Sequence, residues 1–229
     1  MATDLYLIRH GESVPNVEPI IGGMRGDAGL TERGRRQAAA LERRLSSEPI
    51  HADHLYASTL PRALETAAYV SRGVGLPFER DDEVQELRPG AADGMSHEEW
   101  QTTYPGWEDG PLSNPFQPMS PEGESWAQFL VRAGAALTRL VQRHPDQTVV
   151  VVTHGGVIEA SFYLAFGLGG TSGGVRFAPR NTCLTHWRYL DPTDRSPSWD
   201  LIAFNDAWHL NSPEAGEPPR DAVPTPAED

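Results

Sequence analysis

The chain has 229 residues, 38% of them hydrophobic and 22% charged, with a formal net charge of −13. That length and balance fit one large globular domain, and so acidic a chain is a poor partner for nucleic acid or an anionic membrane. The 19 basic side chains are all arginine, so a Walker-type lysine is excluded and any phosphate site must use Arg, His, backbone N–H groups or a metal.

The N-terminus opens directly into an apolar run at 5–8, without a basic region or cleavage site, so no signal peptide is expected. No apolar run approaches the roughly 20 residues of a membrane-spanning helix. The one cysteine, Cys183, excludes an internal disulfide and reads as a small buried hydrophobe; a cytoplasmic location is the default that follows.

In chain order, 5–8 reads as a buried first strand. Residues 31–45 read as a helix capped by Thr31, with apolar positions at Ala38, Leu41 and Leu45. A short strand at 54–57 precedes a helix at 60–74, and 78–80 reads as a third short strand. From 86 to 122 the chain is rich in Gly, Pro and Trp with weak periodicity, which predicts short helices and loops forming a lid or cap. A long helix is expected at 124–144. The β-branched run Thr148–Thr153 has the signature of a strand covered on both faces. A helix at 158–166 and late strands at 182–189 and 200–204 complete the pattern.

This alternation predicts an α/β fold: a three-layer α/β/α sandwich on a mostly parallel sheet, with one antiparallel edge strand. The catalytic domain is expected over 1–210, with 85–125 as the cap. A Pro- and acid-rich tail follows at 211–229, with five acids against Arg220.

In such sheets, sites form beyond the carboxyl ends of the strands. Three predicted strands end in informative residues: Arg9-His10-Gly11, Ser58-Thr59-Leu60-Pro61-Arg62, and Thr153-His154-Gly155. If those strands are neighbours, two arginines and two histidines converge. Guanidinium forks match phosphate oxygens, a neutral histidine can attack phosphorus, and Gly11 and Gly155 would let backbone N–H groups approach an anion. The eight histidines include no His-x-His or His-Glu-x-x-His spacing, so no transition-metal site is expected. No Gly-x-Gly-x-x-Gly follows the first strand, so a dinucleotide site is not supported, and no cofactor is expected.

These residues resemble the histidine phosphatase superfamily, in its phosphoglycerate mutase-like branch. Arg9-His10-Gly11-Glu12 matches its Arg-His-Gly motif. Leu30-Thr31, Gly34 and Gln37-Ala38 match its first helix, Ser58 through Ala67 its second block, and His154-Gly155 its last. The resemblance implies His10 as the phosphorylated nucleophile, with Arg9, Arg62 and His154 completing the phosphate pocket and Asn16 contacting phosphate. It also implies a carboxyl proton donor in the middle segment. Glu86 is the choice, with Glu83 and Asp82 as competitors.

Two departures matter. The loop after Asn16 lacks the family's usual Gln and offers Arg25 as a contact for a second anionic group. The run Glu-Arg-His-Tyr-Gly carried by the mutases is absent, so phosphomonoester hydrolysis is expected over mutase transfer or non-catalytic ligand binding. The partner is then a small phosphorylated substrate. Specificity is expected in 14–29, in 88–122 and at Arg176 or Arg180. Oligomeric state is left open, a homodimer being compatible.

Overall fold

The computed structural model describes residues 2–107, 114–167, 177–192 and 196–211. Arg176 and all of the expected tail except Asn211 lie outside these residues. Six strands form one sheet: β1 (Ala2–Arg9), β2 (His54–Ala57), β3 (Glu79–Arg80), β4 (Thr148–Thr153), β5 (Leu184–Leu190) and β6 (Ser198–Asp206). Their order is β3-β2-β4-β1-β5-β6. The first four in that order are parallel neighbours. The antiparallel strand expected from the sequence is β5, which lies one place in from the edge because β6 pairs outside it.

Helices α2 (Glu32–Ser47) and α3 (Pro61–Val74) cover one face, and α5 (Trp126–Arg143) and α6 (Gly155–Phe166) cover the other. Strand β4 shows why both layers are needed. Val149 and Val151 pack with Phe129, Leu137 and Ile158, whereas Val150 and Val152 pack with Leu41, Leu45 and Val70. All four valines are completely buried, and each such burial contributes about 1.5–3 kcal/mol.

Helix starts follow local chemistry. The Thr31 hydroxyl accepts from Gly34 N at 3.0 Å, Pro61 stands in the first turn of α3, and Ser125 and Gln128 form a capping box on α5. The last helix begins three residues earlier than its apolar pattern, at Gly155, with His154 as its N-cap residue. Two glycines concealed that first turn, since they carry no periodic signal.

The middle segment contributes α4 (His97–Thr103) and a satellite core of Ile21, Ala92, Trp100 and Trp107. One further turn, α1 (Val14–Val17), follows the first strand.

Parallel pairing places the chemistry. Arg9 is in register with Thr153 and Ala57 with Val152. The residues that follow, His10, Ser58 and His154, therefore emerge together at the carboxyl edge of three adjacent strands.

His209, in the turn Trp208–Asn211, is buried, its Nε2 3.0 Å from Thr182 Oγ1. Burial, aided by Arg44, pushes its pKa down to about 4. An unfolded histidine titrates near 6.5, so between those values the unfolded chain binds the extra proton. Stability is then fully present above pH ~6.5 and is lost as pH falls toward 4, by up to about 3 kcal/mol from this residue. Thermal melts should show this slope, with His209→Gln flattening it; an unchanged slope in the variant would contradict the assignment.

Candidate active site

His10 is 3% exposed. Its Nδ1 lies 2.6 Å from the Gly11 carbonyl oxygen. A carbonyl can only accept, so Nδ1 carries the proton and Nε2 keeps its lone pair. Arg62 Nε donates to that Nε2 at 3.2 Å. Burial first, then the positive charges of Arg62 and Arg9, hold the His10 pKa well below the usual histidine value. The ring is therefore neutral at physiological pH, which a nucleophile requires.

His154 is completely buried, its ring centroid 5.1 Å from that of His10. Its Nε2 is 2.7 Å from Ser58 Oγ. Burial first, then the positive charges of Arg62 and Arg9, depress its pKa as well. Its Nδ1 is buried without a hydrogen-bond partner, and so is Arg9 Nε. Buried polar atoms normally have partners, so two orphans beside one neutral imidazole mark a place where an oxygen-rich ligand would be held. Burial also lowers the pKa of Arg9, with Glu86 acting in the opposite direction, and Arg9 Nη1 is anchored on the Pro179 carbonyl at 2.5 Å.

Arg62 is held from behind. Its Nη1 donates to Asp27 Oδ2 at 2.9 Å and to the Gly22 carbonyl at 3.0 Å, while its backbone N–H also reaches Asp27 Oδ2. The Asp27 side chain has no solvent exposure. Sequence reasoning missed Asp27; its only signal was an acid in a loop otherwise poor in charge.

Glu86 stands at the start of α6, where Gly156 N donates to its Oε2 at 3.0 Å and Leu87 N to its Oε1 at 3.1 Å. A Cβ on Gly156 would overlap that carboxylate. The loop carrying Glu86 is clamped by Arg132, which donates to the carbonyls of Glu83, Gln85 and Glu86. Arg132 is in turn gripped by both carboxylate oxygens of Glu124, at 2.6 and 2.7 Å.

A cavity of about 230 Å³ is lined by Arg9, His10, Asn16, Arg62 and Glu86. The other expected residues are placed differently. His154 sits beneath, next to His10. Asn16 Oδ1 accepts from Ser13 N and from Asn181 Nδ2, and Asn181 Nδ2 also bonds the His10 carbonyl. Gly11 is required by packing, since a Cβ there would come 2.7 Å from the Gly34 carbonyl oxygen, and its N–H goes to Thr66. Gly155 opens α6 against Arg9, with room for a Cβ. Arg25 is outside the cavity lining; its side chain is 68% exposed and lies 3.8 Å from Asp93. Burial pushes the Cys183 thiol up to about 12, which leaves it inert as a nucleophile.

Among the described residues, no group of three or more His, Cys, Asp or Glu side chains could hold a metal ion. No described helix is long and apolar enough to cross a membrane.

A parallel α/β sheet that gathers two histidines, two arginines and a carboxylate at its carboxyl edge defines a class of phosphate-handling domains. Residues 5–205 match the histidine phosphatase superfamily (branch 1), and the chain belongs to that family. It is 36% identical over 156 residues to phosphoserine phosphatase 1 of Hydrogenobacter thermophilus, covering 66% of this chain and 70% of that one. It is 34% identical over 211 residues to phosphoglycerate mutase-like protein 4 of Arabidopsis thaliana, covering 90% and 86%. A mycobacterial glucosyl-3-phosphoglycerate phosphatase has the same architecture, with a TM-score of 0.73 at 26% identity, covering 90% of this chain and 100% of that one.

The Asp27 contact gives a test of the site's construction. Asp27→Asn keeps the volume but removes the charge facing Arg62. A misplaced group can cost about 100-fold in rate, so kcat/KM should fall by about 10- to 100-fold, with a lowered melting temperature because Arg62 loses its buried counter-charge. Unchanged kinetics would show that Arg62 is held without it.

Proposed function

We propose that this protein is a phosphatase that hydrolyses a small phosphomonoester through a phospho-His10 intermediate, without a metal. The observation that carries this reading is the neutral His10 with its lone pair on Nε2, flanked by two arginines and by the unpartnered Nδ1 of His154.

In the first step the phosphoryl group takes the place of the Arg62 N–H on His10 Nε2. Nε2 attacks phosphorus, the P–N bond forms and the P–O bond to the leaving group breaks. Arg9, Arg62 and His154 hold the three non-bridging oxygens and stabilise the spread charge. Glu86 gives its proton to the departing oxygen. In the second step Glu86 takes a proton from water as that water attacks phosphorus. The P–N bond breaks, releasing inorganic phosphate and neutral His10.

Hydrolysis is preferred to mutase transfer because the chain lacks the mutases' Glu-Arg-His-Tyr-Gly run and because Arg25 stands outside the cavity, so it offers no second anion contact there. The relatives include proteins named for both activities. The single, buried Cys183 and the consequent lack of any internal disulfide fit a cytoplasmic setting.

Glu86→Gln tests the acid. A general acid contributes about 100- to 10,000-fold, so kcat/KM for alkyl phosphates, which reports the phosphorylation step alone, should drop by that range while kcat/KM for p-nitrophenyl phosphate, whose leaving group needs little protonation, falls much less. Equal losses on both substrates would remove Glu86 from the role, and loss of wild-type activity in EDTA would overturn the metal-free mechanism.

A further inference from the structure

The cavity above His10 has a second chemical character that the phosphate groups do not use. Beyond Arg9, His10, Arg62 and Glu86, its wall is Pro15, Ile20, Ile21, Leu87, Pro89 and Met119, with only Asn16 and His97 as further polar side chains. This wall is built in advance. Ile21 N donates to the Met95 carbonyl and Gly94 N to the Ile21 carbonyl, both at 2.9 Å. His97 N donates to the Pro19 carbonyl at 2.8 Å. Trp100 Nε1 donates to the Met119 carbonyl at 2.9 Å. The loop after α1 and the middle segment are thus stitched together, and Trp100 and Trp107 pack behind the wall.

On the far side of Glu86 a second cavity of about 240 Å³ shares Glu86, Leu87 and Pro89 with the first. It adds two carboxylates, Asp93 and Glu122, against Arg88. Arg88 already bonds Glu83, Gln85 and the Asp82 carbonyl. A leaving group bearing its own carboxylate would face apolar surface in one direction and like charge in the other. Placing an unpaired charge against that apolar wall is unfavourable. The volume matters too: at about 230 Å³ the first cavity falls below the roughly 300–1,000 Å³ of sites that enclose drug-sized ligands.

We infer that the leaving-group subsite, formed by Ile20, Ile21, Leu87, Pro89 and Met119, takes a compact, uncharged and largely apolar alcohol or phenol. This rests on the phosphatase reading for turnover but not for binding. The preferred substrate is then a monoester such as a benzyl or phenyl phosphate in shape and polarity, rather than one whose alcohol carries a carboxylate.

Benzyl phosphate and phosphoserine both expel a primary alkoxide, so their comparison isolates the subsite from leaving-group reactivity. Wild-type kcat/KM should favour benzyl phosphate by at least about 10-fold, the value of one or two methylenes in an apolar pocket. Ile20→Arg, which adds a cation to the rim, should shrink or invert that ratio. Phosphoserine turned over as well as or better than benzyl phosphate would overturn the proposal. Calorimetry with benzylphosphonate and 2-amino-4-phosphonobutanoate separates the two readings. Tighter benzylphosphonate binding without turnover of either ester would sustain the subsite and sink the phosphatase assignment. Tighter or equal binding of the carboxylate-bearing phosphonate would sink the subsite.

Discussion

The contact between Arg62 Nε and His10 Nε2 sets the terms for everything around it. Two unit charges about 4 Å apart interact with about 4 kcal/mol at the effective dielectric of a partly buried site, so protonating His10 next to Arg62 and Arg9 is costly. The ring stays neutral, its proton stays on the Gly11 side, and the remaining lone pair faces the cavity. Arg62 itself can be buried there only because Asp27, equally buried, balances its charge. The pocket is thus a cluster of cations made tolerable by one hidden carboxylate, with capacity left over for an anion.

A second layer fixes Glu86. Glu86 lies on irregular backbone, which of itself holds no position. The Arg132 guanidinium converts that backbone into a defined surface by taking three of its carbonyls, and Glu124 absorbs the guanidinium charge, its pKa lowered by the Arg132 hydrogen bonds against the opposing effect of burial. Helix α5 therefore sets where the carboxylate stands, and the first turn of α6 completes its hydrogen bonds. Sheet and helices position His10, and an ion pair positions Glu86.

Much of this was legible in the chain. Arg9, His10 and His154 could be read because a strand's carboxyl end is marked locally, by an apolar run giving way to polar residues and glycine. The β-branched run Thr148–Thr153 announced a doubly covered strand for the same reason. Asp27, Asn181 and the Arg132–Glu124 clamp could not be read, since their roles arise from partners that are distant in sequence. The apolar pattern of α6 starts only at Ile158, because Gly155 and Gly156 mask its first turn, and with it the amide that holds Glu86. Arg25 was attractive as a basic residue in the right loop, yet Asp93 takes its backbone N–H and its guanidinium lies against Asp93 and the Gly90 and Ala91 carbonyls, outside the cavity lining. The middle tryptophans Trp100 and Trp107 turned out to stiffen the cavity wall from behind.

The claim on which the mechanism stands is that phosphorus is carried by His10 Nε2. Rapid mixing with a phosphomonoester, quenching into alkali where phosphohistidine survives, and peptide mass spectrometry would test it most directly. The account predicts a single phosphate on His10, absent from His10→Ala, whose turnover is abolished. A phosphate found on another residue, or retained by the His10→Ala protein, would contradict it.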